Sequence, residues 1–135
     1  MIKLANLLLS AGLMCCLAMV TPVQAHLEGN TPPPSCQLTY LDGKSAENWE
    51  ALKGEVIYVD FWASWCPPCV KSFPFMRQLM HDFEDKGLKV IAINLDENVE
   101  DAKEFLAKHP ANFPVLLDAS KQCAQDFGVI AMPST

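Results

Sequence analysis

A chain of 135 residues, half of them apolar, has the length for one domain and the material for a packed core, which excludes a disordered chain. The formal net charge is −6, and beyond residue 25 nine basic residues stand against sixteen acidic ones. Such a surface repels phosphate backbones and anionic lipid heads, so nucleic-acid binding and basic membrane docking are not expected.

Residues 1–25 read as a signal peptide. Lys3 supplies the positive start, Leu7 to Val20 is apolar apart from Ser10 and Gly12, Pro22 breaks a helix, and Val23-Gln24-Ala25 offers a small-residue cleavage site. The apolar run is shorter than the roughly 20 residues a bilayer span needs, although extending it back to Leu4 leaves an uncleaved membrane anchor as an alternative. Cleavage near Ala25 removes Cys15 and Cys16 and leaves Cys36, Cys66, Cys69 and Cys123. In an oxidising compartment an even count favours disulfides.

Residues 26–35 form a Pro-rich lead-in (Pro32, Pro33, Pro34), and the domain proper is expected over 36–135. Gln37 to Leu41 suits a short edge strand, Asp42-Gly43 a turn, and Ser45 the N-cap of a helical piece running through Trp49 and Leu52 to Gly54. Val56 to Val59, continued by Phe61 and Trp62, has the near-continuous apolar character of a strand buried on both faces. A helix is expected to start around Cys66 and run to about Asp85, with Phe73, Met76, Leu79, Met80 and Phe83 at helical spacing and a kink at Pro74. Leu88 to Leu95 reads as a second buried strand, Val99 to Lys108 as an amphipathic helix stopped before Pro110, and Phe113 to Leu117 as a third strand. Ser120 can cap a helix through Phe127, with Gly128 in the position of a C-cap glycine. Val129 to Thr135 is expected to add no strand. This alternation implies an α/β fold with a central, mostly parallel sheet flanked by helices.

Cys66 and Cys69 are the residues with chemistry. Two thiols separated by two residues close a small ring at little entropic cost and open it again. At a helix start the first sulfur lies among unpaired N–H groups and the positive end of the helix dipole, which favours thiolate and makes Cys66 the nucleophile. Cys69, one turn in and more buried, is then the resolving thiol. Trp65 forms an apolar wall beside the exposed sulfur, and Pro67 and Pro68 stiffen the loop without sacrificing donors that the first turn can use. A structural disulfide, half of a zinc site, or copper capture with Met132 or a histidine are the competing readings. No second cysteine pair stands at zinc-ligand spacing, and so small a loop stabilises weakly. Asp60, six positions before Cys66 in a buried strand, is either an acid of raised pKa that exchanges a proton with Cys69 or a strand-end carboxylate facing water.

The run Tyr58-Val59-Asp60-Phe61-Trp62-Ala63-Ser64-Trp65-Cys66-Pro67-Pro68-Cys69 resembles the active site of the thioredoxin superfamily, and within it the TlpA/ResA-like exported thiol–disulfide oxidoreductases. The resemblance extends over about Pro34 to Thr135 and implies a thioredoxin-like fold. It implies Cys66 as the attacking and Cys69 as the resolving cysteine. It also places Glu97, in the run Ile91-Ala92-Ile93-Asn94 followed by Asp96-Glu97, near the dithiol; an ordinary first-turn helix acid is the other reading of that residue. Met132-Pro133 corresponds to the family's cis-proline loop, which lies against the dithiol and pairs with substrate as an added strand.

No cofactor is implied. The partners implied are protein disulfide substrates and a membrane-bound thiol donor that restores the dithiol, with the chain periplasmic and monomeric. Asp60 stands where many TlpA-like members have asparagine, and Ser72 where a glutamate is common. The loop after Met132-Pro133 lacks the Pro-Glu-Thr run of the cytochrome c maturation branch. The family's final hairpin and helix are expected to be missing, as in a C-terminally truncated member. Cys36 and Cys123 either form a second, structural disulfide or pack as two buried thiols. A thioredoxin-fold copper carrier or adaptor without exchange activity is the alternative from another functional class. A thiol peroxidase is disfavoured by the paired cysteines.

Overall fold

The computed structural model describes residues 32–46 and 48–135; the expected signal peptide and the first part of the lead-in, up to residue 31, lie outside them. Seven elements follow in chain order: β1 (Thr39–Tyr40), β2 (Val56–Trp62), α1 (Cys69–Phe83), β3 (Leu88–Asn94), α2 (Val99–Lys108), β4 (Val115–Leu117) and α3 (Gln122–Asp126), with short 3-10 turns at Trp49–Leu52 and Glu84–Lys86. The strands form one sheet in the order β1-β4-β3-β2. β2 and β3 run parallel in register from Val56 opposite Leu88 to Trp62 opposite Asn94, β4 continues parallel to β3, and β1 closes the far edge antiparallel to β4. The arrangement is a thioredoxin-like α/β fold.

Alternation along β2 sorts its side chains between two cores. Tyr58 and Trp62 face α1 and α2, where Trp62, Phe73, Met76, Met80, Ala102, Phe105 and Phe113 are buried together with both Cys66 and Cys69. Ile57, Val59 and Phe61 face the opposite layer, with Ile91, Ile93, Leu116, Cys123 and Ala124. An aromatic cluster fixes α1 and α2 on the first face: Phe73 packs at centroid distances of 4.9 Å from Trp62, 5.0 Å from Phe105 and 5.8 Å from Phe113. Cys36, just after the lead-in, is bonded to Cys123 of α3, with Cα atoms 5.1 Å apart, on the second face.

Four local expectations are corrected. The helix after β2 begins at Cys69, not Cys66, because each proline disfavours helical backbone in the residue before it, which keeps Cys66 and Pro67 out of α1; Cys69 N–H closes the intervening turn on the Cys66 carbonyl at 3.0 Å. Asn48, not Ser45, caps the turn at Trp49–Leu52; Ser45 instead bridges Thr39 through its backbone. β4 starts at Val115, since Phe113 turns its ring into the core and Pro114 has only a carbonyl to offer, which accepts from Ala92. β2 is the outer strand of the sheet, so its amino-terminal half is open to solvent, with Val56 67% exposed. Val129 to Thr135 adds no strand; Ser134 makes only an isolated antiparallel bridge with Phe61 at the edge of β2.

Candidate active site

Parallel strands β2 and β3 end side by side, and the loop leaving β2 carries the cysteines across the carboxyl edge of the sheet, where open α/β folds place their sites. Cys66 and Cys69 are joined by a disulfide, with an S–S distance of 2.06 Å and Cα atoms 5.4 Å apart. Cys69 is fully buried and Cys66 is 4% exposed, so the first cysteine is the more accessible of the two by a small margin, while Trp65 and both prolines stand out in solvent. The surroundings of Cys66 also differ from an open helix end. The N–H groups of Cys69, Val70 and Lys71 bond to the carbonyls of Cys66, Pro67 and Pro68, so the first turn of α1 is already satisfied. What remains at Cys66 is the field of the helix dipole.

Asp60 lies in β2 between Tyr58 and Trp62 on the same strand face, and that face carries the core containing both cysteines. Its side chain is fully buried, and neither carboxylate oxygen has a hydrogen-bond partner among the described residues. Burial disfavours the charged form and pushes its pKa up to about 7. A buried acid poised there can hold or release a proton near neutrality.

Glu97 is not buried as Asp60 is. Its carboxylate is 85% exposed and bonds the Lys121 ammonium at 2.9 Å, which holds its pKa below the usual carboxylate range. The Met132–Pro133 peptide bond is cis. Met132 packs against both cores, beside a cavity of about 270 Å³ lined by Leu95, Lys121, Ala124, Val129 and Ile130, the last almost wholly exposed. The backbone bond from Phe61 N–H to the Ser134 carbonyl, 2.8 Å, fixes this loop to β2 one residue beyond Asp60. Among the described residues no cluster of three or more His, Cys, Asp or Glu side chains is arranged to hold a metal ion. No described helix is long and apolar enough to cross a membrane.

Sequence reasoning overlooked Asp96 as a site residue. Only 2% exposed, it accepts hydrogen bonds from the Ser64 backbone N–H at 3.2 and 3.0 Å, from the Ser64 hydroxyl at 3.0 Å and from the Asn94 side-chain amide at 2.7 Å. Asp96 lies just past the end of β3, unlike Asp60, which lies within β2, so the reading that drew attention to Asp60 did not reach it.

Residues 27–135 match the Redoxin family. The chain is 33% identical over 112 residues to the thiol-disulfide oxidoreductase ResA of Bacillus thuringiensis subsp. konkukian, covering 83% of this chain and 64% of that protein. It is 33% identical over 102 residues to the ResA of Bacillus subtilis, covering 76% and 56%. It thus spans less than two thirds of the length of these curated relatives. Among solved structures it superposes with TM-score 0.70 on one assigned as a thiol:disulfide interchange protein DsbE from Chlorobium tepidum, at 42% identity over 75% of this chain and 70% of that one.

Proposed function

From a chain that belongs to the Redoxin family, we propose an exported thiol–disulfide oxidoreductase that reduces protein disulfides through Cys66 and Cys69. The observation that carries this reading is the Cys66–Cys69 disulfide, which closes onto the first residue of α1 on the core face that also receives Asp60. The named relatives, ResA and DsbE, support the same chemistry.

In the proposed cycle the reduced Cys66 thiolate attacks one sulfur of a substrate disulfide. A mixed disulfide forms and the other substrate sulfur leaves as a thiolate that takes a proton from water. Cys69 then gives its proton to the ionised Asp60 and attacks Cys66 Sγ, releasing the second substrate sulfur as thiolate and closing the Cys66–Cys69 ring. Asp60, with its pKa near 7, returns the proton when a membrane-bound thiol donor reopens the ring. The exposed Trp65, Pro67 and Pro68 and the loop at Met132-Pro133 are the proposed substrate contacts, with extended substrate backbone laid along that loop.

Export is supported by the apolar run and small-residue site before residue 26. The second disulfide, between Cys36 and Cys123, supports it too, because such bridges persist in oxidising compartments. Residues 1–25 are accordingly proposed as a removed signal and the periplasm as the working location.

The test is covalent trapping. Cys69→Ser is expected to accumulate a mixed disulfide with a protein substrate, whereas Cys66→Ala forms none. Insulin reduction retained at the wild-type rate by both variants refutes the mechanism.

A further inference from the structure

Resting on that reading, we infer that Asp96 is a positioning residue that holds the loop carrying Cys66 in the shape required for ring closure. It sits just past the end of β3, two residues beyond the last strand pair, and reaches across to the loop that leaves β2. The two strand ends are first joined by Leu95 N–H bonding the Trp62 carbonyl at 2.9 Å. Asp96 extends that join by one more step. Its two oxygens share the Ser64 N–H and one also takes the Ser64 hydroxyl, so Ser64 is gripped through backbone and side chain together, two residues before the nucleophile. Asp96 is itself held, by the Asn94 amide on one oxygen and by its own N–H donating to the Asn94 side-chain oxygen at 3.1 Å.

The arrangement is costly in a way that packing alone does not require. A carboxylate buried to this degree needs compensation, and no ion pair among the described residues involves Asp96; its compensation consists of neutral donors, three of its four bonds coming from Ser64. The helix that follows does not use it, because Asn98 caps α2 by accepting from Glu100 N–H. The work of Asp96 is therefore directed back at Ser64.

The consequence falls on the dithiol more than on the disulfide. Once the ring is closed, the S–S bond itself restrains Cys66; in the open state that restraint is gone, and the grip of Asp96 on Ser64 adds to the backbone bonds of Cys66 with Ala63 and Cys69 in holding the loop. Removing the grip frees backbone in the dithiol, and the entropy of one loosened residue is worth about a tenfold change in the ring-closure equilibrium.

The closing experiment measures the Cys66–Cys69 equilibrium in glutathione redox buffers by alkylation and mass analysis of the full chain. Asp96→Ala is expected to weaken ring closure about tenfold, which is about 30 mV toward a more oxidising couple. Ser64→Ala keeps the backbone bonds and every charge, and is expected to weaken closure about threefold; Ser64→Thr, which restores the hydroxyl, is expected to match the wild type. Val90→Ala, buried in β3 opposite Tyr58, serves as a control that changes stability without touching the loop. Wild-type equilibrium constants in both Asp96→Ala and Ser64→Ala, whatever their melting temperatures, overturn the inference while leaving the exchange mechanism intact. If Asp96→Ala does not fold, an unchanged constant in Ser64→Ala overturns it alone. A wild-type pair that never equilibrates with glutathione sinks the exchange reading and this inference together.

Discussion

Replacing Asp60 by asparagine keeps the shape of the side chain and removes its ionisation. In the folded chain burial places the Asp60 pKa at about 7, against 3.8 for the free group. Between those values the folded state holds a proton that the unfolded state has released, so stability decreases as pH rises and levels off above about 7. Each pH unit in that window is worth about 1.36 kcal/mol, so from about pH 5 to about pH 8.5 the oxidised wild type is expected to lose about 3 kcal/mol that the Asp60→Asn variant keeps. Urea unfolding of the two oxidised proteins across that range measures the difference, and subtracting the curves cancels every other titrating group. A difference that stays flat, or one that favours the wild type as pH rises, refutes the placement of Asp60 as an uncompensated buried acid. The same substitution bears on the proposed proton transfer: at neutral pH the resolving step is expected to slow by about 10²-fold, seen as mixed disulfide persisting in the otherwise wild-type protein.

Phe73 is fully buried amid Trp62, Phe105 and Phe113, so Phe73→Ala is expected to cost about 3–5 kcal/mol in denaturant unfolding; a loss below about 1 kcal/mol contradicts the aromatic cluster. Replacing Cys36 and Cys123 together by alanine opens a loop of 87 residues and is expected to cost about 4 kcal/mol, with the Cys66–Cys69 equilibrium unchanged in glutathione buffer. Thermal unfolding that is insensitive to that double substitution contradicts a structural role for the bridge.

Where the chain announces its structure, it does so through periodicity. The apolar runs at Val56 and Leu88 become β2 and β3, and the amphipathic pattern of Val99–Lys108 becomes α2 with the same boundaries. Gly128, with φ of 69°, ends α3 in the left-handed region that a C-cap glycine suits. The errors lie where short-range chemistry overrides pattern. The helical spacing of the apolar residues from Phe73 to Phe83 says nothing about whether the first turn starts at Cys66 or Cys69; two successive prolines decide it, each disfavouring helical backbone in the residue before it. Ser45 and Asn48 are both competent caps, and only the fold brings Ser45 against Thr39.

Asp96 was hidden for a different reason. Adjacent acids in Asp96-Glu97 look alike in sequence, as a solvated turn leading into a helix. One turns inward to bond Ser64, 32 residues earlier, and the other outward to Lys121. No local pattern encodes that choice. It follows from the parallel register that sets Trp62 opposite Asn94 and so brings the two exits together.

The two disulfides divide a labour that their loop lengths make possible. Closing a ring across a separation of three residues removes little freedom from the unfolded chain, so the Cys66–Cys69 bond opens and closes with small effect on whether the domain stays folded. Closing one across 87 residues removes a great deal, and the Cys36–Cys123 bond lies on the opposite face of the sheet, with Cys123 buried. That bridge anchors α3 beside Ala124, whose N–H bonds Asp118 at 2.9 Å and whose carbonyl takes Val129 N–H. From Val129 the chain has only three residues to travel before the cis bond at Met132–Pro133. The loop proposed to receive substrate is therefore held by a bond that does not need to react, while the bond that reacts is held from the other side by Ser64 and Asp96. A chain with the long bridge reduced is expected to bind substrate poorly yet keep its own dithiol equilibrium, whereas one with Asp96 removed shows the reverse. Finding both properties lost together in either variant contradicts this division.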